Sequence, residues 1–445
     1  MTRTFSAARP MAAFAMSLFF CLGAAPDQPI PGPVAADVHE SYRLLTSSYY
    51  DPVDPQTLLA AASDALVAAA RKHGTTIQPA TLRADGQNDE IMAELDAAIA
   101  SAADSAHAPV TEFAYAAIEG MTHAIGDRYT QFFTPEQFRQ FNDALDPEKI
   151  SGIGVMIAAD DASGSVHVTY VVPGTPAEHA GLRVGDVFIA IDGTVVKGMT
   201  VDNASRLLRG SAGTLVAVNV QRQGDAQPLA FSIKREEVQP PTVVFRMLQG
   251  DVGYVWVMAF GKGTPDEFNT AITRLKDQGA RALVFDLRND GGGYVDSALR
   301  ISQRFIANKA LVTVEERGEH ATTIEADNQA TIGLPVTVLV NQYTASASEI
   351  TAGALQDDGI GDLVGTKTYG KGVMQTLTPL PDGAAIKITT AHYLTPNHRD
   401  INLRGIDPDV RVEEPRDARF GDVDKDAQLR AALQLLQRKI ASAKP

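Results

Sequence analysis

A serine in the last quarter of the chain stands where it could act as a nucleophile. Ser346 lies between the apolar run 336–340 and a second apolar stretch with helical character. The amino terminus of a helix carries partial positive charge, which favours negative charge that develops beside it. The same place also suits a serine that merely caps the helix, and Ser348 fits that role as well as Ser346 does. Spacing alone therefore leaves two serine candidates.

A lysine between two glycines is the candidate for a general base. Lys371 is flanked by Gly370 and Gly372, and apolar residues follow. A lysine can accept a proton only when it is neutral, and moving its pKa from about 10.4 to near 7 costs roughly 4 to 5 kcal/mol. Burial or a nearby positive charge would supply that shift. The alternatives are a surface lysine in a glycine turn, or a phosphate loop that lacks its serine or threonine at Gly372.

A third segment, 286–293, runs from an apolar stretch into three successive glycines. Glycine lets the backbone adopt positive φ and turn its N–H groups toward a ligand, and a developing oxyanion needs such donors. A tight turn without chemistry is the alternative. Other catalytic signatures fit poorly, because the sequence has neither a Gly-x-Ser-x-Gly elbow nor a His-Glu-x-x-His zinc motif. A Ser-His-Asp triad stays open, since its members need not be close in sequence.

The elements that would carry these segments alternate between strand and helix after Pro240-Pro241, which mark a linker. Such alternation predicts an α/β layer with a largely parallel sheet. The predicted strands are 252–257, 280–287 and 336–340, and the predicted helices are 265–276, 295–306 and 347–355. Helical spacing is also present at 33–70, at 90–125 and at 424–440, and short alternating strands are present from about 151 to 234.

Charge and the first residues indicate where the protein works. The formal net charge of −15 argues against a nucleic-acid partner, because such proteins need basic patches. Arg3 and Arg9 precede an apolar run at 11–22 and small residues at 23–25, the pattern of a signal peptide. Cys21, the one cysteine, lies inside that run. We therefore expect an exported protein of the periplasm or cell envelope, without disulfides or a cysteine nucleophile.

Several segments together resemble known families. Gly-Ile-Gly-Val at 152–155, Pro-Gly-Thr-Pro-Ala at 173–177 and Gly-Leu-Arg-Val-Gly-Asp at 181–186 resemble a PDZ domain. The strand with its glycine turn, Ser-Ala-Ser-Glu-Ile at 346–350 and Lys-Thr-Tyr-Gly-Lys-Gly-Val-Met-Gln at 367–375 are similar to the C-terminal processing peptidases, also called tail-specific proteases. The resemblance extends from about residue 37 to residue 436.

The resemblance assigns a role to particular residues. It implies that Ser346 is the nucleophile, that Lys371 is the general base and that Gln375 orients the lysine amine. It also implies that the backbone amides of Gly292 and Ala347 bind the oxyanion. In the PDZ domain it implies that four residues receive the carboxylate of the substrate tail: Gly152, Ile153, Gly154 and Val155.

The resemblance also implies an α/β fold, with a crotonase-like protease core at 242–415 and a PDZ domain, α+β and mostly β, inserted ahead of it at 150–238. A signal peptide at 1–25, a helical region at 33–148 and a C-terminal helix at 422–441 complete the expected organisation. The implied function is an endopeptidase that cleaves exported proteins near their C-termini. Its partners are protein or peptide substrates and not nucleic acid, and no cofactor or metal is expected.

One departure from the family pattern lies beside the expected oxyanion site. The family usually carries Asn-Pro before its glycine pair, whereas this chain carries Asp290-Gly291. Because glycine is more flexible than proline, the loop is expected to be less preorganised. Two alternatives to the main interpretation stay open: a PDZ protein that binds tails through an inactive core, and a tail protease with a Ser-His relay like the tricorn core.

Overall fold

The structure is a computed structural model that describes residues 29–145, 149–160, 163–327, 330–414 and 421–442. The predicted signal peptide, residues 1–25, lies outside the described residues. Across the ranges just given, no helix is both long enough and apolar enough to cross a membrane.

Four helices form the amino-terminal part, and their apolar core also includes Phe132, Leu380, Ala384, Ile386 and Ile388. The helices are α1 Gly32–Ser47, α2 Pro55–Lys72, α3 Asn88–Ala106 and α4 Val110–Ala124. The stretch predicted as helical at 33–70 is two helices, because Pro52 and Pro55 lack the N–H that a continuous helix would need. The stretch at 90–125 divides in the same way at Pro109.

The amino-terminal part also supplies a strand to the downstream core, which the sequence pattern did not indicate. Strand β1, Gln131–Phe133, is followed by helix α5, Pro135–Leu145. It pairs antiparallel with a core strand at 385–394, and Gln131 lies opposite Lys387. The first and last thirds of the chain therefore share one sheet.

The middle of the chain folds into a separate β-rich domain. Its elements are β2 Ile150–Gly152, β3 Val155–Asp160, β4 Ser165–Val171, α6 Pro176–Ala180, β5 Val187–Ile191, β6 Thr194–Val195, α7 Val201–Leu208, β7 Leu215–Gln221, β8 Leu229–Lys234 and β9 Glu236–Val238. Because β2 pairs with β9, the chain enters and leaves this domain at one place. An ion pair between Glu178 on α6 and Arg274 joins it to the core.

A six-stranded sheet forms the centre of the core, in the order β10-β11-β12-β15-β16-β19. Its strands are β10 Val243–Leu248, β11 Val252–Val257, β12 Ala282–Asp286, β15 Val336–Val340, β16 Gly361–Gly365 and β19 Val410–Arg411. Only β10 is antiparallel to its neighbour, so the prediction of a largely parallel sheet is confirmed. Four helices accompany it: α8 Thr264–Asp277, α9 Val295–Ser302, α10 Ala347–Asp357 and α11 Ala427–Ser442.

A second sheet lies beside the first and carries β1. It contains β13 Ala310–Glu316, β14 Thr322–Glu325, β17 Val373–Pro379 and β18 Ala385–Leu394. In the first sheet, β12, β15 and β16 are parallel neighbours, so their carboxyl ends meet at one edge. The segments that follow these strands are the three that the sequence singled out. The fold therefore brings 287–293, 341–346 and 366–372 to the same edge.

A buried cluster of charges ties α11 to the strand that leads into this edge. Arg288 is fully buried and binds the carboxylates of Asp286 and Asp426. Tyr254 also donates a hydrogen bond to Asp286. Because the first residues after β12 are held from both sides, the start of the 287–293 loop is fixed.

We expect Arg288→Ala to lower the free energy of unfolding of the core by about 3 to 5 kcal/mol, because Asp286 and Asp426 would stay buried without their cation. The urea midpoint of the core transition measures this. Arg300→Ala is the matched control, since its pair with Asp266 is exposed and should contribute less than about 1 kcal/mol. Equal shifts in the two variants would contradict the assignment of a stabilising role to the cluster.

Candidate active site

Ser346 occupies a strained backbone conformation at the start of α10. Its φ is +58° and its ψ is −120°, a region that residues other than glycine rarely adopt. The residue follows β15 through a short turn, and its side chain is half-buried. Strain of this kind at the junction of a strand and a helix is what a sharply presented nucleophile requires.

Ser348 points elsewhere. It is fully buried, and its hydroxyl donates a hydrogen bond of 3.1 Å to the backbone carbonyl of Asp290. Its hydroxyl proton is therefore engaged in holding α10 against the 287–293 loop. Of the two serines that spacing could not separate, the geometry favours Ser346 as the accessible hydroxyl.

The buried carboxylate of Glu349 joins the serine segment to the lysine segment. Its Oε2 accepts the N–H groups of Ser346 and Lys371, each at 2.9 Å. Its Oε1 accepts the N–H of Gly370 at 2.8 Å and the hydroxyl of Thr368 at 2.5 Å. Burial raises the pKa of Glu349, and these four hydrogen bonds oppose that rise. One side chain thus fixes the backbones of both candidate catalytic residues.

Tyr393 makes a second connection between the same two segments. Its hydroxyl lies 2.5 Å from the carbonyl oxygen of Lys371 and 3.1 Å from that of Ser346. The side chain comes from β18 and is almost fully buried, so it is an internal strut of the site. The backbone positions of Ser346 and Lys371 are therefore held from two directions.

The amine of Lys371 lies over an aromatic ring. Its Nζ is 4.9 Å from the centroid of the Tyr129 ring. Burial, with Lys387 adding to the effect, lowers the pKa of Lys371 to about 8, while Asp127 and Glu349 act in the opposite direction. Both residues lie in the described part of the chain, and no hydrogen bond joins this amine to the Ser346 hydroxyl. The amine must therefore turn from the ring before it can reach Oγ.

Gln375 makes no hydrogen bond to the lysine amine in the described part of the chain. Its Nε2 donates a hydrogen bond of 3.3 Å to the hydroxyl of Thr389, and Thr389 donates in turn to Asp127 at 2.5 Å. The prediction that Gln375 orients the lysine amine is thus not supported by a direct hydrogen bond between the two side chains. The structure instead links Gln375 to the amino-terminal segment that carries Tyr129.

The two predicted oxyanion donors lie side by side. A methyl group placed on Gly292 would come within 2.9 Å of the Ala347 nitrogen and of the Ser346 Cβ, so only glycine fits. Its φ of +98° also favours glycine. The N–H of Gly292 donates to Oδ1 of Asp290 at 2.8 Å. One of the two predicted donors is therefore already engaged by a side chain.

The four residues predicted to receive a substrate carboxylate line a groove in the middle domain. Gly152, Ile153, Gly154 and Val155 form one wall, and the opposite wall includes Ser205, Leu208 and Arg209 from α7 and its end. The exposed side chain of Arg209 packs on Gly152, with its Cγ at 3.9 Å from the position of a Cβ there. Apolar residues and the basic residue Arg209 therefore both line this groove.

Sequence reasoning missed the residues that hold the site together. Glu349 stands three residues after Ser346, and this Ser-x-x-Glu spacing is a capping pattern that could have drawn attention to it. Asp127, Tyr129 and Tyr393 come from distant segments, and no local pattern marked them. Within the described ranges, no group of three or more His, Cys, Asp or Glu residues is placed to share a metal ion.

Models of two known protein families match parts of this chain. A model of peptidase family S41 matches residues 251–412, and a PDZ domain model matches residues 167–222. Among solved structures, the photosystem II D1 C-terminal processing protease is 28% identical, with 85% of this chain and 93% of that chain covered and a TM-score of 0.45.

Curated relatives cover most of the chain. The carboxyl-terminal-processing protease of Synechocystis sp. is 35% identical over 338 residues, which are 75% of this chain and 79% of the relative. The carboxy-terminal processing protease CtpB of Bacillus subtilis is 32% identical over 350 residues, which are 77% of this chain and 72% of the relative. The chain therefore belongs to peptidase family S41 and is a serine-type peptidase with a PDZ domain.

Proposed function

We propose that this protein is an exported endopeptidase that cleaves protein substrates near their C-termini, with Ser346 as nucleophile and Lys371 as general base. The observation that carries the proposal is the Glu349 carboxylate, which binds the N–H groups of both residues. This side chain holds together two segments that follow different strands, one with a strained serine and one with a half-buried lysine, and this arrangement supports the assignment of a catalytic pair.

Acylation begins when the neutral amine of Lys371 turns from the Tyr129 ring and takes the proton of the Ser346 hydroxyl. The oxygen attacks the scissile carbonyl carbon, and the carbonyl oxygen becomes an oxyanion. The N–H of Ala347 would donate a hydrogen bond to that oxygen, and the nearby N–H of Gly292 is the second proposed donor. The protonated lysine then gives its proton to the departing amine as the C–N bond breaks.

Deacylation repeats these steps with water as the nucleophile. The neutral lysine takes a proton from a water molecule, and the hydroxyl adds to the ester carbon. Collapse of the second oxyanion breaks the bond to Ser346 Oγ, which recovers its proton from the lysine. In this scheme Gln375, Thr389 and Asp127 form a hydrogen-bonded chain that positions the segment around Tyr129.

The groove of the PDZ domain would capture the substrate tail. An extended peptide would add a strand beside β3, and its terminal carboxylate would lie on the backbone of 152–155. Arg209 supports this assignment because it is a basic residue that lines the same groove and packs on Gly152. A tail bound here would limit cleavage to the region near the C-terminus of the substrate.

The same proposal covers the organisation of the chain. We assign a crotonase-like core to 242–415, a PDZ domain to 150–238, a helical region to 33–148 and a C-terminal helix to 422–441. Export follows from the basic and apolar pattern of residues 1–25, which predicts a signal peptide.

A Ser-His relay is less well supported than the Ser-Lys pair. Among described residues, His39 and His73 bind Asp96 and Glu112 within the amino-terminal helices. His392 stacks on Tyr50, with ring centroids 4.2 Å apart. Each of these three histidines therefore has a partner other than Ser346.

Ser346→Ala should abolish cleavage of a casein substrate, because no other accessible hydroxyl occupies the strained position at α10. Ser348→Ala is the matched control and should stay within about tenfold of the wild-type rate, since only one buried hydrogen bond is lost. Mass spectrometry of the products measures both. Cleavage that survives in Ser346→Ala would overturn the assignment of the nucleophile.

Activity should rise with pH between 6 and 8, because the pKa of Lys371 is lowered to about 8 and only the neutral amine is a base. The neutral fraction grows about tenfold between pH 6 and pH 7. Initial rates across this range measure the effect. Lys371→Ala should remove activity at every pH, whereas Lys367→Ala, a change to an exposed lysine of the same segment, should keep the wild-type profile. Full activity in Lys371→Ala would favour a histidine relay.

Arg209→Gln should weaken binding of a peptide with a free C-terminal carboxylate by about threefold to fivefold, the effect of one exposed charge pair. Fluorescence anisotropy with the Ser346→Ala protein measures binding without cleavage. The same peptide with an amidated C-terminus is the control and should bind both proteins equally. Equal loss with both peptides would show that Arg209 does not contact the carboxylate.

A further inference from the structure

The carboxyl group of Asp290 is buried in the wall of the oxyanion site, and the mechanism above gives it no step. Oδ1 accepts the N–H of Gly292 at 2.8 Å, while Oδ2 has no hydrogen-bond partner in the described part of the chain. Its backbone carbonyl accepts the N–H of Ala345 and the hydroxyl of Ser348. Asp290 is therefore fixed against the start of α10, directly beside the nucleophile.

Asp290 and the oxyanion compete for one hydrogen atom. When the oxyanion forms, the N–H of Gly292 can stabilise it only by turning away from Oδ1. An ionised carboxylate binds an N–H about twice as strongly as a neutral acceptor does. It would also repel a second negative charge nearby, and that repulsion is strong where water is excluded. A protonated carboxyl group holds the N–H weakly and carries no charge.

The backbone permits this exchange. The peptide that carries the N–H joins Gly291 to Gly292, so no side chain on either residue resists its rotation. Gly291 is exposed, and a Cβ placed there would meet no atom within 4 Å. The N–H can therefore turn while the Cα of Gly292 keeps its contact with Ser346.

We propose that Asp290 is a positioning residue that holds the Gly292 N–H in the resting enzyme and releases it to the oxyanion only while its carboxyl group is protonated. The proposal rests on the proposed function, because it assumes that the oxyanion forms between Gly292 and Ala347. It makes the turn at Asp290-Gly291 a control element of the reaction.

The surroundings favour the protonated form. The charged groups on the elements around Asp290 each have another partner or face solvent. Asp286 pairs with Arg288, and Glu349 binds the serine and lysine segments. Lys262 lies over the Tyr294 ring, Lys371 lies over the Tyr129 ring, and Asp296 is exposed. Burial raises the pKa of Asp290 to about 8, and the hydrogen bond from the Gly292 N–H opposes the rise only in part. Among the residues that the structure describes, no cation pairs with its carboxyl group.

The test is the pH profile of casein cleavage between pH 6 and pH 10. Wild type should give a bell near pH 8, rising as Lys371 loses its proton and falling as Asp290 loses its own. Asp290→Asn keeps the shape and the acceptor but cannot ionise. It should lack the fall, and at pH 9 it should exceed the wild-type rate by about tenfold, because about a tenth of Asp290 is protonated one unit above its midpoint.

Asp96→Asn is the matched control, since Asp96 is also a partly buried carboxyl group with a raised pKa but lies in α3. It should keep the wild-type bell. Two results would overturn the proposal: an alkaline fall that persists in Asp290→Asn, or loss of activity at every pH in an Asp290→Asn protein that melts at the wild-type temperature.

A readout without catalysis separates this proposal from the proposed function. In the Ser346→Ala protein labelled with ¹⁵N-glycine, at least one glycine amide that shifts with a midpoint near pH 8 should lose this shift when Asp290→Asn is added, whereas amides beside Lys371 should keep theirs. Retention of every such shift in Asp290→Asn would overturn the proposal. By contrast, failure of the proposed function would appear as cleavage that is absent in wild type or independent of Ser346.

Discussion

The Glu349 carboxylate is the interaction on which the catalytic arrangement depends. A buried carboxylate is costly unless it is well hydrogen-bonded, and this one accepts four donors. Three of the donors are backbone N–H groups, of Ser346, Gly370 and Lys371, and they belong to segments that follow two different strands. Because the charge needs all of these donors, the segments cannot separate without exposing it. The hydrogen bonds that stabilise the buried charge are thus the same ones that set the spacing between Ser346 and Lys371.

The same charge opposes the chemistry that it makes possible. A negative carboxylate close to Lys371 favours the ammonium form, whereas catalysis needs the neutral amine. Burial acts in the other direction and is the larger effect, with a smaller contribution from Lys387, so the pKa of Lys371 falls to about 8. Before the reaction the amine of Lys371 lies over the Tyr129 ring. The pKa of Lys371 is therefore set by two opposing effects, because the Glu349 carboxylate that holds the site together raises it and burial lowers it.

Local patterns could predict the elements but not the contacts between them. The predicted strands 252–257 and 336–340 agree with the structure. A short apolar run between turn residues in an α/β fold is most often a buried strand of the sheet. Spacing could not separate Ser346 from Ser348, since the difference lies in which side chain α10 buries. The substitution at Asp290 was visible in the sequence, but its bond to Gly292 depends on a loop conformation that no spacing encodes. Tyr129 lies just before β1, and it is placed at the site because β1 pairs with β18, a strand far along the chain.

Strand β1 has a consequence for when the enzyme can first act. β1 finds its partner on β18 only after Lys387 is available, and Thr389 lies 262 residues after Asp127, with which it shares a hydrogen bond. Contacts over such separations form late in folding, because a long loop must close first. The lysine environment is incomplete until both strands meet. The surroundings of Lys371 therefore cannot be completed before residue 389 has been synthesised, so the site can form only when most of the chain is present.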